Sequence, residues 1–415
     1  MPDTSSLPHV IAHSFDEALS HDLIHLYAYD STHAVPLAPS DDDEQGERGP
    51  RHFVHVVPGL AKKPAVPLHT PDLTRVTKRD PFQGPEFGPG EKILDLESQL
   101  DGSTYSLVHN LHALMREHFM AIPHFDARHP FRPQTSLLVP SDFEIAWRVV
   151  SSYSESATSP QDNDDDDGDD KKTTTTTTRR RESRLICFFN GGPAAGASQP
   201  HLHMQFCPFQ HGVAPLVQHV ADEMTRRSRG EWRWRRGRPV DEQDVRRLDR
   251  LPWQVWCVPL PRSTTVGSRT NPSEEEEEDD EEEEEEDKVD PLVLHELYLH
   301  LFSTAQRHLP PRPSEDRGRS DFLGTTSHNV FLTSTHLFVV PRRHRMTTVP
   351  RSASIEQGHL SLGGGWEDVE GAEREMRLSV NGLTMLGYWY VGSREEMDDL
   401  ERYGLERALR ECGYE

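Results

Sequence analysis

The stretch Asn190–Phe209, NGGPAAGASQPHLHMQFCPF, decides how the rest of the chain is read. It follows Arg184–Phe189 (RLICFF), a run rich in strand formers. First comes a loop holding Gly191, Gly192 and Gly196, closed by Ser198 and Gln199. Glycines let the backbone reach positive φ and let a ligand approach it closely. Successive N–H groups in such a loop can form a concavity for an anion, although many glycine loops are ordinary turns. Next comes His201–Phe206, H-L-H-M-Q-F. Alternate side chains of a strand point to opposite faces. The spacing therefore predicts His201, His203 and Gln205 on one face, with Leu202, Met204 and Phe206 packed on the other. On the residues alone two further readings stay open. One is an exposed strand face carrying ordinary histidines. The other is a zinc site, since two histidines two residues apart can chelate, but no motif supplying further ligands accompanies them.

The flanking sequence sets the architecture. Trp253–Val258 (WQVWCV) reads as a strand, and His328–Pro341 holds two apolar runs, NVFLT and HLFVVP, that suit a hairpin. Pro291–Leu309 has apolar residues near helical spacing and opens with a proline, which is favoured at the first helical position. Arg394–Glu411 reads as a C-terminal helix. This mixed order predicts an α+β fold with an antiparallel sheet flanked by helices.

Composition bounds the rest. The 415 residues are ample for a sizeable core, in one large or two moderate domains. Only 34% are hydrophobic and the mean hydropathy is −0.73, low for a chain folded throughout. The net charge of −25 is concentrated rather than spread. Glu274–Asp287 is wholly acidic, and a second acidic cluster lies within Asp162–Asp170. Like-charge blocks repel themselves and bury no apolar surface. Ser40–Gly49, Ser154–Arg181 and Ser263–Asp287 are thus expected to be disordered insertions, read as solvated spacers. The resulting division has an N-terminal part, residues 1–262, which carries the glycine loop and His-x-His-x-Gln and is interrupted by a disordered insertion at 154–181. A disordered acidic loop spans 263–288, and a C-terminal part, 289–415, completes the site. No internal repeat of fixed period is visible.

Four scattered cysteines without a CxxC spacing argue against a disulfide framework and for a reducing compartment. The N-terminus has no basic start and no apolar run of signal-peptide length, and no segment has transmembrane length. A soluble protein of the cytoplasm or nucleus is expected, without a membrane partner. Arg226–Arg238 interleaves Trp232 and Trp234 with arginines, a pattern that can serve single-stranded nucleic acid. With no recognisable module beside it, an arginine-rich surface segment is the preferred reading, and nucleic acid is not an expected partner.

The segment GPAAGASQPHLHMQ resembles the active-site segment of fungal diadenosine tetraphosphate phosphorylases, also called ATP adenylyltransferases. These form the His-x-His-x-Gln transferase branch of the histidine-triad superfamily. Four further blocks are similar to that family in its order: Val57–Pro64 (VPGLAKKP), Tyr105–Asn110 (YSLVHN), His328–Arg343 (HNVFLTSTHLFVVPRR) and Leu378–Val391 (LSVNGLTMLGYWYV). The resemblance implies a histidine-triad-like sheet and phosphorolysis of diadenosine tetraphosphate to ATP and ADP. It implies His203 as the nucleophile forming a covalent nucleotidyl-histidine, with the carbonyl of His201 fixing its tautomer. Gln205 would bond an α-phosphate oxygen, and His201 would support the sheet. Substrate contacts carried over residue by residue are Lys63, Asn110, Asn190, Gly196, Ala197, Ser198, Gln199, Phe331, Leu332, Thr333, Phe338 and Arg342. Taken singly, a lysine is usually a solvated charge, and Phe331 or Phe338 is usually core. The partners implied are the dinucleoside polyphosphate, ATP, ADP and phosphate. No dedicated cofactor or metal motif is expected, although a divalent cation can accompany the polyphosphate.

Three departures stand out. Leu111 replaces a basic residue after the asparagine, His336 stands where a Trp is common, and Met115–Ser136 is longer than usual. Two rivals share the triplet. A hexose-1-phosphate uridylyltransferase uses the same covalent chemistry, but it typically has a proline between the histidines, where this chain has Leu202, and structural metal ligands. A non-catalytic nucleotide sensor would not need His201, His203 and Gln205 intact.

Overall fold

The computed structural model describes residues 6–37, 49–62, 87–88, 90–155, 185–210, 213–228, 241, 244–260, 289–310, 327–351 and 375–415. The acidic stretches Asp162–Asp170 and Glu274–Asp287 lie outside these residues, as do Lys63 and Trp232 and Trp234. The fold is α+β, and a nine-stranded antiparallel sheet dominates it. In spatial order the strands are Arg246–Arg247, Trp256–Pro259, His336–Pro341, His328–Leu332, Leu185–Gly191, Met204–Pro208, Phe119–Pro123, Thr104–His109 and Lys92–Glu97. The two apolar runs of His328–Pro341 form the expected hairpin, with Val330 opposite Val339. Strands from both sides of residue 262 pair directly, with His328–Leu332 antiparallel to Leu185–Gly191.

Each sheet face has its own cover. On one face Cys187, Phe189, Val330, Leu332, Leu337 and Val339 pack in a core with residues of the helices Leu7–Ser20, Pro140–Glu155 and Pro291–Arg307. The last of these begins with Pro291, and Asp290 caps it by accepting from the N–H of Leu292. It buries Leu294, Leu297, Tyr298, Leu301 and Phe302, a spacing of three and four that keeps one stripe on the sheet. On the other face Phe188, Phe331, Phe338 and Val340 meet a second core. That core includes Val54 and Trp389 from a small sheet formed by Tyr388–Val391, Arg51–Val56 and Ser31–Pro36. All four cysteines are buried and unpaired. No helix among the described residues is long and apolar enough to cross a membrane.

Two sequence expectations change. The C-terminal helix is two helices, Arg394–Tyr403 and Leu405–Cys412, broken at Gly404 with φ 97. That left-handed conformation suits glycine and ends a helix. The strand expected across His201–Gln205 begins only at Met204. His201 makes an isolated bridge to Pro133. Leu202 donates its N–H to the carbonyl of Arg132 at 2.9 Å, and Gln134 donates to that of Pro200 at 2.7 Å. An irregular segment, not a neighbouring strand, therefore flanks the two histidines.

One ion pair ties that segment to the helix Pro140–Glu155. Arg132 donates to both carboxylate oxygens of Asp142, at 2.8 and 2.6 Å. The same carboxylate accepts from the Tyr105 hydroxyl at 2.8 Å and from the Val139 N–H at 2.7 Å. Asp142 is fully buried, so removing it strands a cation and two donors together. We expect Asp142→Ala to cost about 3 kcal/mol of stability, the lower end for a broken buried pair because Arg132 keeps some contact with water. Urea denaturation checks this, and an unchanged midpoint at unchanged slope would refute it.

Candidate active site

His203 is held by its backbone and its ring together. The side-chain amide of Gln134 accepts from the His203 N–H at 2.7 Å and donates to the His203 carbonyl at 3.2 Å. It also donates to the carbonyl of Asn190 at 3.1 Å. One glutamine amide thus supplies the pairing that a strand would have offered. The ring Nδ1 of His203 lies 2.9 Å from the carbonyl of His201. A carbonyl only accepts, so Nδ1 carries the hydrogen and Nε2 carries the lone pair. Burial pushes the His203 pKa down to about 4, which keeps the imidazole neutral near pH 7.

His201 faces elsewhere. Its Nε2 donates to the carbonyl of Pro123 at 2.9 Å, and its ring packs between Phe125 and Phe131, with centroids 5.4 and 5.3 Å away. Its carbonyl is the atom that accepts from the His203 ring.

Gln205 sits in a row that crosses the sheet: Met120, Gln205, Phe188, Phe331 and Phe338 are successive register partners and so share a face. The Gln205 Oε1 lies 3.1 Å from the Nε2 of His118. Phe331 and Phe338 are fully buried within that row. Leu332 lies on the opposite, helix-covered face. Thr333 donates its hydroxyl to the Gln218 Oε1 at 2.8 Å, and His336 stacks on Phe338 while its Nδ1 accepts from Gln218 at 2.9 Å. Leu111 is exposed.

Two asparagines and an arginine form a directed chain beside the glycine loop. The Arg342 guanidinium, fully buried, donates to the Asn329 Oδ1 at 2.7 Å and also to the carbonyls of Cys412, His344 and Val380. Asn329 in turn donates to the Asn190 Oδ1 at 2.8 Å, which also accepts from the Gly382 N–H at 3.1 Å. With its oxygen occupied, Asn190 has only its NH2 group to offer a ligand. Arg342, expected to contact substrate, is placed as the anchor of this chain. Gly382 is required by packing, since a Cβ there would stand 2.7 Å from the Asn190 Oδ1.

The first part of the glycine loop has its donors engaged by the protein. The N–H groups of Gly192, Ala195, Gly196 and Ala197 bond to backbone carbonyls, and that of Ala194 to the Ser327 hydroxyl. Gly196 has φ 92, and a Cβ there would lie 2.7 Å from the Cβ of Asn381. The N–H groups of Ser198 and Gln199 take no partner among the described residues. Of the four loop residues expected to cradle phosphate, these two keep backbone donors to give.

Asn110 is half-buried, with both ends of its amide engaged: its Oδ1 accepts from the His112 N–H at 3.1 Å, and its Nδ2 lies within 3.4 Å of the His118 ring. Gln134, His118 and Asn329 were not expected from the sequence. Gln134 and His118 fall within the overlong segment Met115–Ser136, whose length was the only available signal. Among the described residues no group of three or more His, Cys, Asp or Glu is placed to hold a metal ion.

Comparison with known proteins finds relatives along most of the chain. A family model for the Ap4A phosphorylase N-terminal domain matches residues 169–220, and one for the ATP adenylyltransferase C-terminal domain matches residues 249–415. Diadenosine 5',5'''-P1,P4-tetraphosphate phosphorylase 2 of Saccharomyces cerevisiae is 22% identical over 373 residues, covering 88% of this chain and 84% of that protein. A solved structure of yeast Ap4A phosphorylase Apa2 in complex with Ap4A has a TM-score of 0.57 at 20% identity, over 98% of this chain and 97% of that one. The same protein in complex with AMP gives a TM-score of 0.60 at 20% identity, over 99% and 96%. With both family domains matched in order along one chain, and a relative similar across most of its length, the protein belongs to the ATP adenylyltransferase (Ap4A phosphorylase) family.

Proposed function

We propose that the protein phosphorolyses diadenosine tetraphosphate to ATP and ADP through an adenylyl-His203 intermediate. The observation that carries this reading is the 2.9 Å contact of His203 Nδ1 with the His201 carbonyl. It leaves the Nε2 lone pair of a neutral ring as the nucleophile. In the first step Nε2 attacks the α-phosphorus, a P–N bond forms, the P–O bond to the next phosphate breaks, and ATP leaves. In the second step an oxygen of inorganic phosphate attacks the same phosphorus, the P–N bond breaks, and ADP leaves. Covalent catalysis divides one hard transfer into two easier ones.

The remaining groups act by position and by hydrogen bonding. Gln205 donates to a non-bridging α-phosphate oxygen or to the bridging oxygen. A Gln has no useful proton to give, which suits a polyphosphate leaving group. Asn190 and the N–H groups of Ser198 and Gln199 donate to the polyphosphate. Gly196 and Ala197 shape the loop, and Lys63 brings a cation to the chain of phosphates. A divalent cation arriving with the substrate offsets part of its charge. Phe331, Phe338, Leu332 and Thr333 support the sheet beneath the site, and Arg342 and Asn110 act through the side chains that they orient.

Incubation with diadenosine tetraphosphate and phosphate should give equal ATP and ADP by anion exchange, and no turnover without phosphate. His203→Ala should remove turnover by at least about a thousand-fold with an unchanged melting curve. AMP and ATP formed without phosphate would mean a hydrolase instead. The nucleophile acts as the neutral ring, and its pKa is depressed, so acidification through 6.5 does not protonate it. At saturating phosphate, kcat/KM for the dinucleotide reports only the first step. It should not show a His203 titration near pH 6.5, and loss through this group should come only as pH approaches about 4. A fall centred near pH 6.5 in kcat/KM, absent from the substrate's own titration, would refute this.

A further inference from the structure

Gln205 has two nearly identical ends, and only one of them can donate to a phosphate oxygen. Which end faces the substrate is set behind it. The chain begins at a backbone amide: the His112 N–H donates to the Asn110 Oδ1 at 3.1 Å. That contact fixes the Asn110 amide, so its Nδ2 is the end turned to the His118 ring, 3.4 Å from Nδ1 and 3.3 Å from Nε2. An NH2 group donates, so the ring nitrogen that receives it must be unprotonated. The Gln205 Oε1, which can only accept, lies 3.1 Å from Nε2, so in a neutral imidazole Nε2 carries the hydrogen and Nδ1 is the nitrogen left to accept from Asn110. The Gln205 oxygen is thereby occupied, and its NH2 group is left for the substrate.

We infer that His118, aligned by Asn110, is a positioning residue that fixes the amide of Gln205 with its NH2 group toward the reacting phosphate. The inference rests on the phosphorylase reading for the identity of the group that Gln205 contacts. Two features support it. The Asn110 N–H also donates to the His118 carbonyl at 3.0 Å, so the two residues are locked by backbone as well as side chain. Glu117, immediately before His118, has φ 54, a left-handed conformation rare outside glycine, and it turns the chain into the strand Phe119–Pro123. Burial also keeps the His118 ring neutral, its pKa pushed down to about 4. A protonated ring would present hydrogens on both nitrogens and collide with the Asn110 NH2 group.

The test is a double-mutant cycle on the full chain with diadenosine tetraphosphate and phosphate. His118→Leu keeps the volume and removes both polar nitrogens. It should lower kcat by about ten- to a hundred-fold, part of what loss of a transition-state donor costs, with KM little changed. In the Gln205→Ala background the same substitution should cost less than about two-fold, because there is no amide left to orient. His118→Gln should restore most of the rate, since its amide can accept from Asn110 and donate to Gln205. An equal loss with and without Gln205, or no loss at all, would overturn the inference. Imidazole nitrogen NMR of the unliganded protein should find His118 with its hydrogen on Nε2, and a hydrogen on Nδ1 would overturn it independently of activity. If the unsubstituted protein fails to make ATP and ADP, the phosphorylase reading fails, while the NMR result still decides whether His118 is the donor to Gln205.

Discussion

The site depends on a single side-chain amide standing in for a missing strand. Between Pro200 and Met204 the chain leaves the regular sheet, yet the backbone of His203 is buried and its N–H and carbonyl need partners. Gln134 supplies both with one amide and reaches the carbonyl of Asn190 as well. Leaving the ladder has a benefit. A regular strand would fix the side-chain direction of His203 by the pleat alone, whereas here the ring folds back onto the carbonyl two residues earlier. The Arg132–Asp142 pair holds the segment carrying Gln134 against a helix on the far side of the sheet.

Amide orientation recurs as a theme. Asn190 is directed by Asn329 and Arg342, and Gln205 by His118 and Asn110. In both cases a fixed donor occupies an amide oxygen and leaves the NH2 group as the only end to offer a ligand. A polyphosphate carries dense negative charge, and neutral donors set in advance stabilise charge that develops during reaction without having to reorganise. The buried, neutral histidines fit the same scheme, since each contributes one donor and one acceptor in a known direction.

Much of this was legible in the sequence because it resides in short, strongly patterned blocks. The apolar runs of His328–Pro341, the proline-led helix at Pro291 and the H-L-H-M-Q-F triplet each announce themselves locally. The resemblance then joined them into one family. What was not legible depends on contacts across the chain. Gln134 and His118 lie in ordinary-looking sequence, and nothing local says that one clamps residue 203 and the other faces residue 205. Arg342 was recognised, but its partners, the carbonyls of Cys412, His344 and Val380, are tertiary facts. The break at Gly404 is visible only as one glycine in a helical pattern, a signal that helices often tolerate. The pleat rule failed across His201–Gln205 because it assumes a regular strand, and the proline at 200 with the flanking segment removes that regularity.

The pairing of Leu185–Gly191 with His328–Leu332 has a consequence for synthesis on the ribosome. The first strand emerges well over a hundred residues before the second. Until then its outer edge is an open row of backbone donors and acceptors on an apolar strand, the kind of template that recruits other chains. The Asn190 side chain likewise waits for Asn329 and Gly382. Sequence-distant pairing of this kind delays closure of the sheet. The nascent protein therefore carries its nucleophile early but completes the surroundings of that nucleophile last, so a truncated chain ending before residue 328 would expose a sticky edge and have no finished site.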